Sequence, residues 1–361
     1  MIQKRIVIFG FPGLGDMIEF SPCFRILREG FPNAKITLVT FIDSVRILFQ
    51  KSPFIDEVIF CDWKNISILE KIKFINLLWK RHFDISIQPF PSYRREFNLF
   101  SGLIRAENRY SFRFDKGRFS EFTFLNNHLI NADSTIQNVE NNLQIMKALG
   151  LETKGKEEYH ISVCSSGSLV ESFFSSNNMN GSEFKVGIHP GSDRRGMERR
   201  LPISKFAEIS DYLSERYKAR VIIFLGPHEH ELKKEFLNSS KKQHIIVENM
   251  DIDKIAQLIS VCNIFISGDS GLMHIASAMK VPTVAIFGPT NPVFVRPWGV
   301  PHEIVRLGLD CSPCFLFTDK RPLDKPLIEC KIDEKFACIK RIESEDVLEK
   351  VNKMVTLLCG K

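Results

Sequence analysis

The stretch from Phe265 to Ala276 reads FISGDSGLMHIA, and it decides the fold class. Its pattern predicts a buried strand that ends at Gly268 and a helix that begins immediately afterwards. Asp269 is then expected to project from the carboxyl end of the strand. A strand that runs directly into a helix is the repeating unit of sheets covered by helices on both faces. The stretch therefore favours an α/β fold.

Short β-rich runs alternate with helical patterns on both sides of this stretch. The predicted strands are 5–9, 35–40, 57–60, 84–88, 185–189, 220–225, 244–247, 264–267 and 283–287. The predicted helices are 22–29, 45–50, 66–81, 135–149, 203–217, 228–238, 252–260, 272–279 and 344–358. This alternation predicts parallel, doubly wound sheets of the Rossmann type. Residues 90–135 lack clean periodicity and are predicted to form loops and irregular helices.

Chain length sets the expected domain organisation. The 361 residues exceed the ~250–300 that a single core supports, which predicts two domains. The run from Ser165 to Ser182 is rich in Ser, Asn and Gly, which is typical of a linker. The predicted parts are an N-terminal domain (1–165), a linker (166–183), a C-terminal domain (184–342) and a final helix (343–361). Ligands are expected in a cleft between the domains, at the carboxyl ends of the strands.

Composition excludes several classes of protein. Apolar residues make up 44% and charged residues 25%, so the chain as a whole is not disordered, collagen-like or a coiled coil. The net charge of +6 suits an anionic ligand or a membrane surface, and it falls short of a dedicated nucleic-acid binder. No leader pattern is recognised, and no apolar run reaches the ~18–20 residues that cross a bilayer. The expected location is cytoplasmic, with peripheral contact to the inner membrane.

The helix start that follows Gly268 is a candidate anion site. The N–H groups of Ser270, Gly271 and Leu272 have no partner within a first helical turn, and the helix dipole favours negative charge there. The turn therefore suits a pyrophosphate, with Asp269 placed to hold sugar hydroxyls. The alternative is that Asp269 caps its own helix and His274 packs in the core.

A second candidate phosphate site follows the predicted strand 185–189. The strand runs into Pro190-Gly191-Ser192, where backbone N–H groups and a hydroxyl can approach a phosphate closely. Four arginines then fall within the seven residues 194–200, and guanidinium groups match phosphate oxygens. The alternative is a solvated basic loop.

The turn after the first predicted strand carries a candidate general base. It reads Gly10-Phe-Pro-Gly13-Leu-Gly15-Asp16, which is not the G-x-G-x-x-G of dinucleotide-binding proteins. A carboxylate at position 16 would face the expected cleft and could take a proton from an attacking hydroxyl. The alternative is that Asp16 caps the helix that follows.

The order and spacing of these motifs resemble those of glycosyltransferase family 9, the bacterial ADP-heptose:lipopolysaccharide heptosyltransferases. The likeness extends over nearly the whole chain. It is carried by Gly15-Asp16, Ser21-Pro22, Phe31–Ile36, His189–Ser192, Gly268–Ala276 and Phe287–Thr290.

The resemblance implies a GT-B fold, with the acceptor on the N-terminal domain and a nucleotide-sugar on the C-terminal domain. It implies inverting, metal-independent transfer of a heptose from ADP-heptose to a hydroxyl of a lipid A–inner core glycolipid, with Asp16 as the base. The donor-binding residues implied are Gly191, Ser192, Arg199, Glu229, Asp269, Ser270, Gly271, Leu272 and His274, with Glu231 as a neighbouring alternative to Glu229. Arg199 stands where relatives usually have lysine, which leaves the phosphate contact open.

Four clustered cysteines suggest a metal site. Cys311 and Cys314 have the Cys-x2-Cys spacing, and Cys330 and Cys338 follow. Four thiolates can form a closed tetrahedral site for zinc or iron, which would be structural because no coordination position stays open. The alternative is reduced thiols in a loop. Cys-rich insertions recur at this place in the family, and some relatives that modify autotransporters hold iron there.

Arginines crowd the irregular segment of the N-terminal half. Among them, Arg94, Arg95 and Arg109 are the candidates for binding an acceptor that carries phosphates or carboxylates. Interleaved phenylalanines also permit a nucleic-acid surface, although an anionic glycolipid fits this position in the fold better and no nucleic-acid partner is expected. A plain solvated face is the third interpretation.

Several functions therefore remain open from the sequence. The leading hypothesis is heptose transfer to the lipopolysaccharide inner core. The alternatives are transfer from another nucleotide-sugar or to a protein side chain, nucleotide-sugar epimerisation, and a binding protein that has kept the fold without activity. A nicotinamide-dependent oxidoreductase is disfavoured by the spacing of the first glycine loop.

Overall fold

The computed structural model describes residues 3–92, 94–114, 122–163, 167–192, 196, 199–314, 330 and 332–359. The chain forms two compact units, Met1–Ser162 and Val163–Lys361. Each unit has its own sheet and its own hydrophobic core. Within the described residues, no helix has both the length and the apolar character needed to span a bilayer.

The first unit is built on a parallel sheet. Its strands are β1 (Arg5–Gly10), β2 (Lys35–Thr40), β3 (Glu57–Phe60), β4 (Ile85–Ile87), β5 (Asn108–Arg113) and β6 (His128–Asn131). The helices are α1 (Leu14–Gly30), α2 (Asp43–Phe49), α3 (Ile68–Trp79), α4 (Arg95–Ile104) and α5 (Asn138–Ala148), with a 3-10 helix at Thr123–Leu125. The strand order is β3-β2-β1-β4-β5-β6, and neighbouring strands run parallel.

The second unit repeats this arrangement. Its strands are β7 (Lys185–His189), β8 (Arg220–Phe224), β9 (Ile245–Val247), β10 (Ile264–Gly268), β11 (Thr283–Ile286) and β12 (His302–Val305), in the order β12-β11-β10-β7-β8-β9. The helices are α6 (Gly167–Ser176), α7 (Ile203–Arg216), α8 (His230–Ser239), α9 (Ile252–Ser260), α10 (Gly271–Ala278), α11 (Pro292–Val295), α12 (Ala337–Lys340) and α13 (Ser344–Cys359).

Strand order reverses once in each sheet. In the first unit the reversal lies between β1 and β4, and in the second it lies between β7 and β10. The loops that follow the two central strands leave toward opposite faces at such a point, which opens a crevice at the carboxyl ends of the strands. Both sheets therefore offer a ligand crevice, and the residues just after β1, β4, β7 and β10 line the two crevices.

The central strands are apolar because both of their faces are covered. In β1 the five residues from Ile6 to Gly10 are buried, which is the pattern of a strand inside a parallel sheet. One face of the first sheet packs against α3 and α4, where Leu78 and Phe100 join Phe9 in the core. The predicted α/β class and the doubly wound parallel sheets are confirmed.

The prediction for residues 90–135 was wrong. Instead of loops and irregular helices, this segment contains α4, β5, the 3-10 helix and β6. The two strands read NRYSFR and HLIN, and they lack the continuous apolar run that marks a central strand. They lie at one side of the sheet, where β6 is the edge. The edge strand β12 of the second sheet was also missed.

Two local predictions are corrected by the structure. Helix α6 occupies much of the predicted linker, because Leu169, Val170 and Phe173 recur at helical spacing and Phe173 is buried. Helix α1 begins eight residues before the predicted start and continues through Pro22. Proline cannot donate to the carbonyl of Ile18, and the Ser21 hydroxyl donates to that carbonyl instead, at 2.6 Å.

Candidate functional site

Three neighbouring strand ends meet in the second unit. Strand β7 lies between β10 and β8, so the loops after all three strands start at the same edge of the sheet. The His189 ring joins two of them, because its Nδ1 lies 2.8 Å from the Phe224 carbonyl oxygen. A carbonyl can only accept, so Nδ1 is the protonated nitrogen. Burial lowers the pKa of His189 and favours the neutral ring.

The Glu229 carboxylate fastens two of these loops together. Its Oε2 accepts a hydrogen bond from the Gly226 backbone N at 2.7 Å, and its Oε1 accepts one from the Ser192 backbone N at 3.1 Å. Arg200 donates to the same Oε1 at 3.1 Å and to the Ser192 carbonyl oxygen at 2.7 Å. The carboxylate is buried and satisfied from several sides, as a buried charge must be. It therefore fixes the loop that contains Ser192.

Gly191 is required by this arrangement. A Cβ at position 191 would lie 1.9 Å from Glu229 Oε1, which is inside the carboxylate's own volume. The close approach explains why glycine precedes Ser192. The Ser192 hydroxyl is itself held, since it donates to the Gly196 carbonyl oxygen at 2.8 Å and accepts from Arg200 Nε at 2.9 Å.

An ion pair joins the loop after β7 to the tip of β10. Arg199 Nη1 lies 2.6 Å from Asp269 Oδ2, and the two side chains are only 14% and 12% exposed. The structure therefore brings together two residues that are 70 positions apart in the sequence. Arg199 Nε is buried and makes no hydrogen bond within the described part of the chain. A buried donor without a partner is rare in a folded protein, and an acceptor oxygen of water or of a ligand would satisfy it.

The start of α10 completes this edge. Ser270 is the N-cap residue and has extended backbone, and Gly271 and Leu272 form the first turn. The Ser270 hydroxyl lies 2.9 Å from that of Ser267. The first-turn N–H groups and the positive end of the helix dipole face the same edge as Arg199, which makes the edge suited to a diphosphate.

His274 is buried within α10 and lies one turn beyond this edge. Burial lowers its pKa to about 4, although the nearby Asp269 charge opposes the shift. Its ring is therefore neutral near pH 7, and its part in donor binding stays a prediction. Thr290 closes the Phe287–Thr290 motif of the sequence analysis, but it was not among the predicted donor-binding residues. It follows β11, it is buried, and its hydroxyl makes no hydrogen bond in the described residues.

In the first unit, Asp16 lies in the first turn of α1, just after β1. Its Oδ2 accepts a hydrogen bond from the Gly13 backbone N at 2.7 Å. The capping interpretation of Asp16 is therefore confirmed. It is compatible with a second role, because the residue is only half-buried and stands at the crevice where strand order reverses.

The structure separates the predicted acceptor-binding arginines. Arg94 is the N-cap of α4, and Arg95 is exposed beside it; both follow the carboxyl end of β4. Arg109 lies near the amino end of β5, and therefore at the opposite end of the parallel strands from Arg94 and Arg95. Its guanidinium donates to the carbonyl oxygens of Leu125 and Ala106, each at 2.6 Å. These bonds give Arg109 a role inside the fold.

The four clustered cysteines share one neighbourhood. The Cys314 backbone N donates to the Pro289 carbonyl oxygen at 3.0 Å, and a Cβ on Gly288 would lie 3.4 Å from Cys338 Sγ. Burial, and to a smaller extent the neighbouring Cys314, Cys311 and Cys330, raises the pKa of Cys338 to about 11. Across the described ranges, however, no three His, Cys, Asp or Glu side chains form a group that could hold a metal. The thiols are neighbours that lack coordination geometry.

Because His274 is buried and neutral, it makes stability depend on pH. Its pKa in the folded chain is about 4, against 6.5 for an ordinary histidine. Between these values the unfolded chain binds the extra proton, so stability falls as the pH is lowered through this window. Going from pH 7 to pH 5 should cost about 2 kcal/mol through this residue.

The measurement is urea unfolding of the wild type and of His274→Gln at both pH values. In the variant, the free energy of unfolding should fall less between pH 7 and pH 5, by the amount that His274 contributes in the wild type. The exposed His228 supplies the matched control, and His228→Gln should behave like the wild type. An unchanged pH dependence in His274→Gln would show that His274 is not the group responsible.

Known proteins resemble this chain over most of its length. Lipooligosaccharide heptosyltransferase 2 of Campylobacter jejuni is 28% identical over 354 residues, which is 95% of this chain and 96% of the relative. A glycosyl transferase family 9 structure from Veillonella parvula superimposes with a TM-score of 0.78 at 22% identity, and 98% of each chain is covered.

The structure of Escherichia coli ADP-heptose LPS heptosyltransferase II gives a TM-score of 0.72 at 20% identity, and covers 98% of this chain and 99% of that one. The predicted GT-B class of two Rossmann-like units is confirmed. The family model of glycosyltransferase family 9 (heptosyltransferase) matches residues 99–323, more than half of the chain. The chain belongs to glycosyltransferase family 9 and is a glycosyltransferase.

Proposed function

We propose that the protein transfers a heptose from ADP-heptose to a hydroxyl of the lipopolysaccharide inner core, with inversion at the anomeric carbon. The observation that carries the proposal is the edge where β8, β7 and β10 end. Ser192, Arg199, Asp269 and the first turn of α10 lie together there. Relatives named as heptosyltransferases, one of them the ADP-heptose LPS heptosyltransferase II of Escherichia coli, support this choice of donor.

The donor would be held by charge and by backbone N–H groups. The first turn of α10 and the Ser192 loop bind the diphosphate oxygens, and Arg199 supplies positive charge beside them. In the structure Arg199 is paired with Asp269. When the donor binds, Arg199 contacts the diphosphate in place of Asp269 or in addition to it. Asp269 then accepts hydrogen bonds from sugar hydroxyls. Glu229, which holds the Ser192 loop, is placed near the ribose.

Asp16 is the proposed base. Its carboxylate takes the proton of the acceptor hydroxyl, and the oxygen so exposed forms a bond to the anomeric carbon. The bond from that carbon to the diphosphate oxygen breaks at the same time, and ADP leaves with the electron pair. Attack opposite the leaving group inverts the configuration. The developing charge on ADP is stabilised by Arg199 and the α10 turn, so positioning and electrostatics carry the reaction.

The acceptor is proposed to be a lipid A–core glycolipid at the inner face of the cytoplasmic membrane, with the protein cytoplasmic and peripheral to the bilayer. Arg94 and Arg95 support this proposal, because they follow β4 on the same crevice edge as Asp16. Guanidinium groups there match the phosphates of such a lipid. Arg109 remains a weaker candidate, since two of its nitrogens already bond to carbonyls.

A structural metal is proposed at Cys311, Cys314, Cys330 and Cys338. The donor set suits zinc or iron, and the four thiols already share one neighbourhood. Bound metal would tie this segment to the Gly288–Pro289 turn that follows β11, because Cys314 and Cys338 lie against that turn. The transfer step needs no metal in this proposal.

Asp16→Asn tests the base. Asparagine keeps an oxygen that can cap α1 but cannot take a proton, so turnover should fall about 100-fold to 10,000-fold. Binding of ADP, measured by calorimetry, should stay unchanged because the donor lies on the other unit. Asp43→Asn changes a carboxylate in the first turn of α2 and is the matched control. A variant at position 16 that keeps its activity, or loses ADP binding, contradicts the assignment.

Gly191→Ala tests the donor site. The added Cβ displaces the Glu229 carboxylate and breaks its bonds to the Ser192 and Gly226 backbone. Two lost hydrogen bonds of about 1 kcal/mol each should weaken ADP binding about tenfold or more. Gly226→Ala is the control, since its Cβ would lie an acceptable 3.4 Å from Glu229 Oε2. Equal ADP affinity in both variants would refute the site. Selective binding of UDP or GDP by the wild type would leave the fold assignment standing and would identify a nucleotide-sugar other than ADP-heptose as the donor.

Metal analysis of the purified protein tests the cysteine proposal. About one zinc or iron per chain is expected if all four thiolates act as ligands. The double variant Cys311→Ser and Cys314→Ser should lose the metal, whereas Cys61→Ser on the first unit should keep it. Metal-free wild-type protein, prepared without chelators, would assign these residues as reduced thiols.

A further inference from the structure

Helix α3 is apolar on its solvent side as well as on its core side. Phe74, Ile75 and Leu78 pack onto the core of the first unit. Toward solvent, Ile68 is 69%, Ile72 56% and Trp79 40% exposed. A surface helix of a soluble protein normally turns charged and polar residues outward. The exposed residues of α3 therefore need an apolar partner.

The exposed apolar surface continues onto α4. Leu99 and Leu103 stand one turn apart, and each is nearly half exposed. Helix α3 packs against α4, and both cover the same core. Among the described residues, nine of the twelve large apolar side chains that are most exposed lie between Ile68 and Phe124. We define the apolar face by Ile68, Leu69, Ile72, Trp79, Leu99 and Leu103.

Basic residues accompany this face. Lys73 on α3 and Lys80 at its C-cap are exposed and lie seven positions apart, so they share the outer side of the helix. The acidic residue of α3 is Glu70, and it is engaged with Ser67 at the start of the helix. Arg95 and Arg105 are exposed at the two ends of α4, and Arg95 lies 3.4 Å from the exposed Glu96 carboxylate. With four basic residues against Glu70 and Glu96, the surroundings of the face remain net basic. Apolar side chains flanked by lysine and arginine are typical of helices that lie in the headgroup region of anionic bilayers.

We propose that the apolar face docks the protein onto a lipid bilayer that carries anionic headgroups. The charges argue against a second copy of this chain as the partner. A symmetric contact would set this net basic patch against itself, whereas phosphate headgroups complement its charge. The inference rests on the proposed function for its purpose: α4 begins at Arg94 and Arg95, so docking through α4 presents this end to a glycolipid acceptor.

Vesicle sedimentation tests the proposal without any transferase assay. Wild-type protein is mixed with vesicles of phosphatidylglycerol and phosphatidylethanolamine, and separately with phosphatidylcholine vesicles. The double variant Ile72→Gln and Trp79→Gln removes two exposed apolar groups from the face. The matched control is Leu237→Gln and Leu357→Gln, which changes two leucines of equal exposure on α8 and α13 of the second unit.

The wild type and the control should bind the anionic vesicles, and the apolar-face variant should partition about tenfold or more weakly. Brominated lipids should quench the wild-type tryptophan emission through Trp79. Failure of the wild type to bind, equal binding by the variant, or equal binding to phosphatidylcholine overturns the proposal. A dimer in vesicle-free solution that the variant abolishes also overturns it. Since ADP binding is independent of vesicles, a failure here leaves the proposed function standing.

Discussion

The reversal of strand order between β7 and β10 is the constraint on which the candidate site depends. Parallel pairing of Ser267 with His189, and of Ile188 with Ile223, brings three strand ends to one line. The loops that follow are far apart in sequence, yet they can exchange side-chain contacts there. The ion pair between Arg199 and Asp269 exists only because of this alignment.

At the carboxyl ends of these strands, the buried Glu229 carboxylate already has hydrogen-bond partners within the protein. Glu229 is surrounded by the Ser192 and Gly226 backbone N–H groups and by Arg200, so the Ser192 loop is held in place. Such preorganised donors stabilise the charge of a leaving group more effectively than mobile ones, because they need little rearrangement during the reaction. Arg199 differs, since its Nε has no partner in the described residues. Under the proposed function, this nitrogen binds an oxygen of the donor.

Much of this could be predicted from the sequence, because parallel strands covered on both faces read as continuous apolar runs. The strands β7 and β10 and the turns after them were found in this way. Strands β5 and β6 were missed because they lack such runs; β6 is the edge strand and β5 lies next to it. The pairing of Arg199 with Asp269 depends on strand order, which periodicity does not contain. Position alone also left Asp16 open between cap and base, and the hydrogen bond to Gly13 supplies the first of these roles.

The most direct test of the account is the mass of the acceptor after reaction. The protein is incubated with ADP-heptose and a lipid A–core acceptor that lacks its inner heptose, and the lipid is examined by mass spectrometry. The account predicts that the acceptor gains one heptosyl residue while an equal amount of ADP is released. Consumption of ADP-heptose with an unchanged acceptor, or transfer only from another nucleotide-sugar, would contradict it.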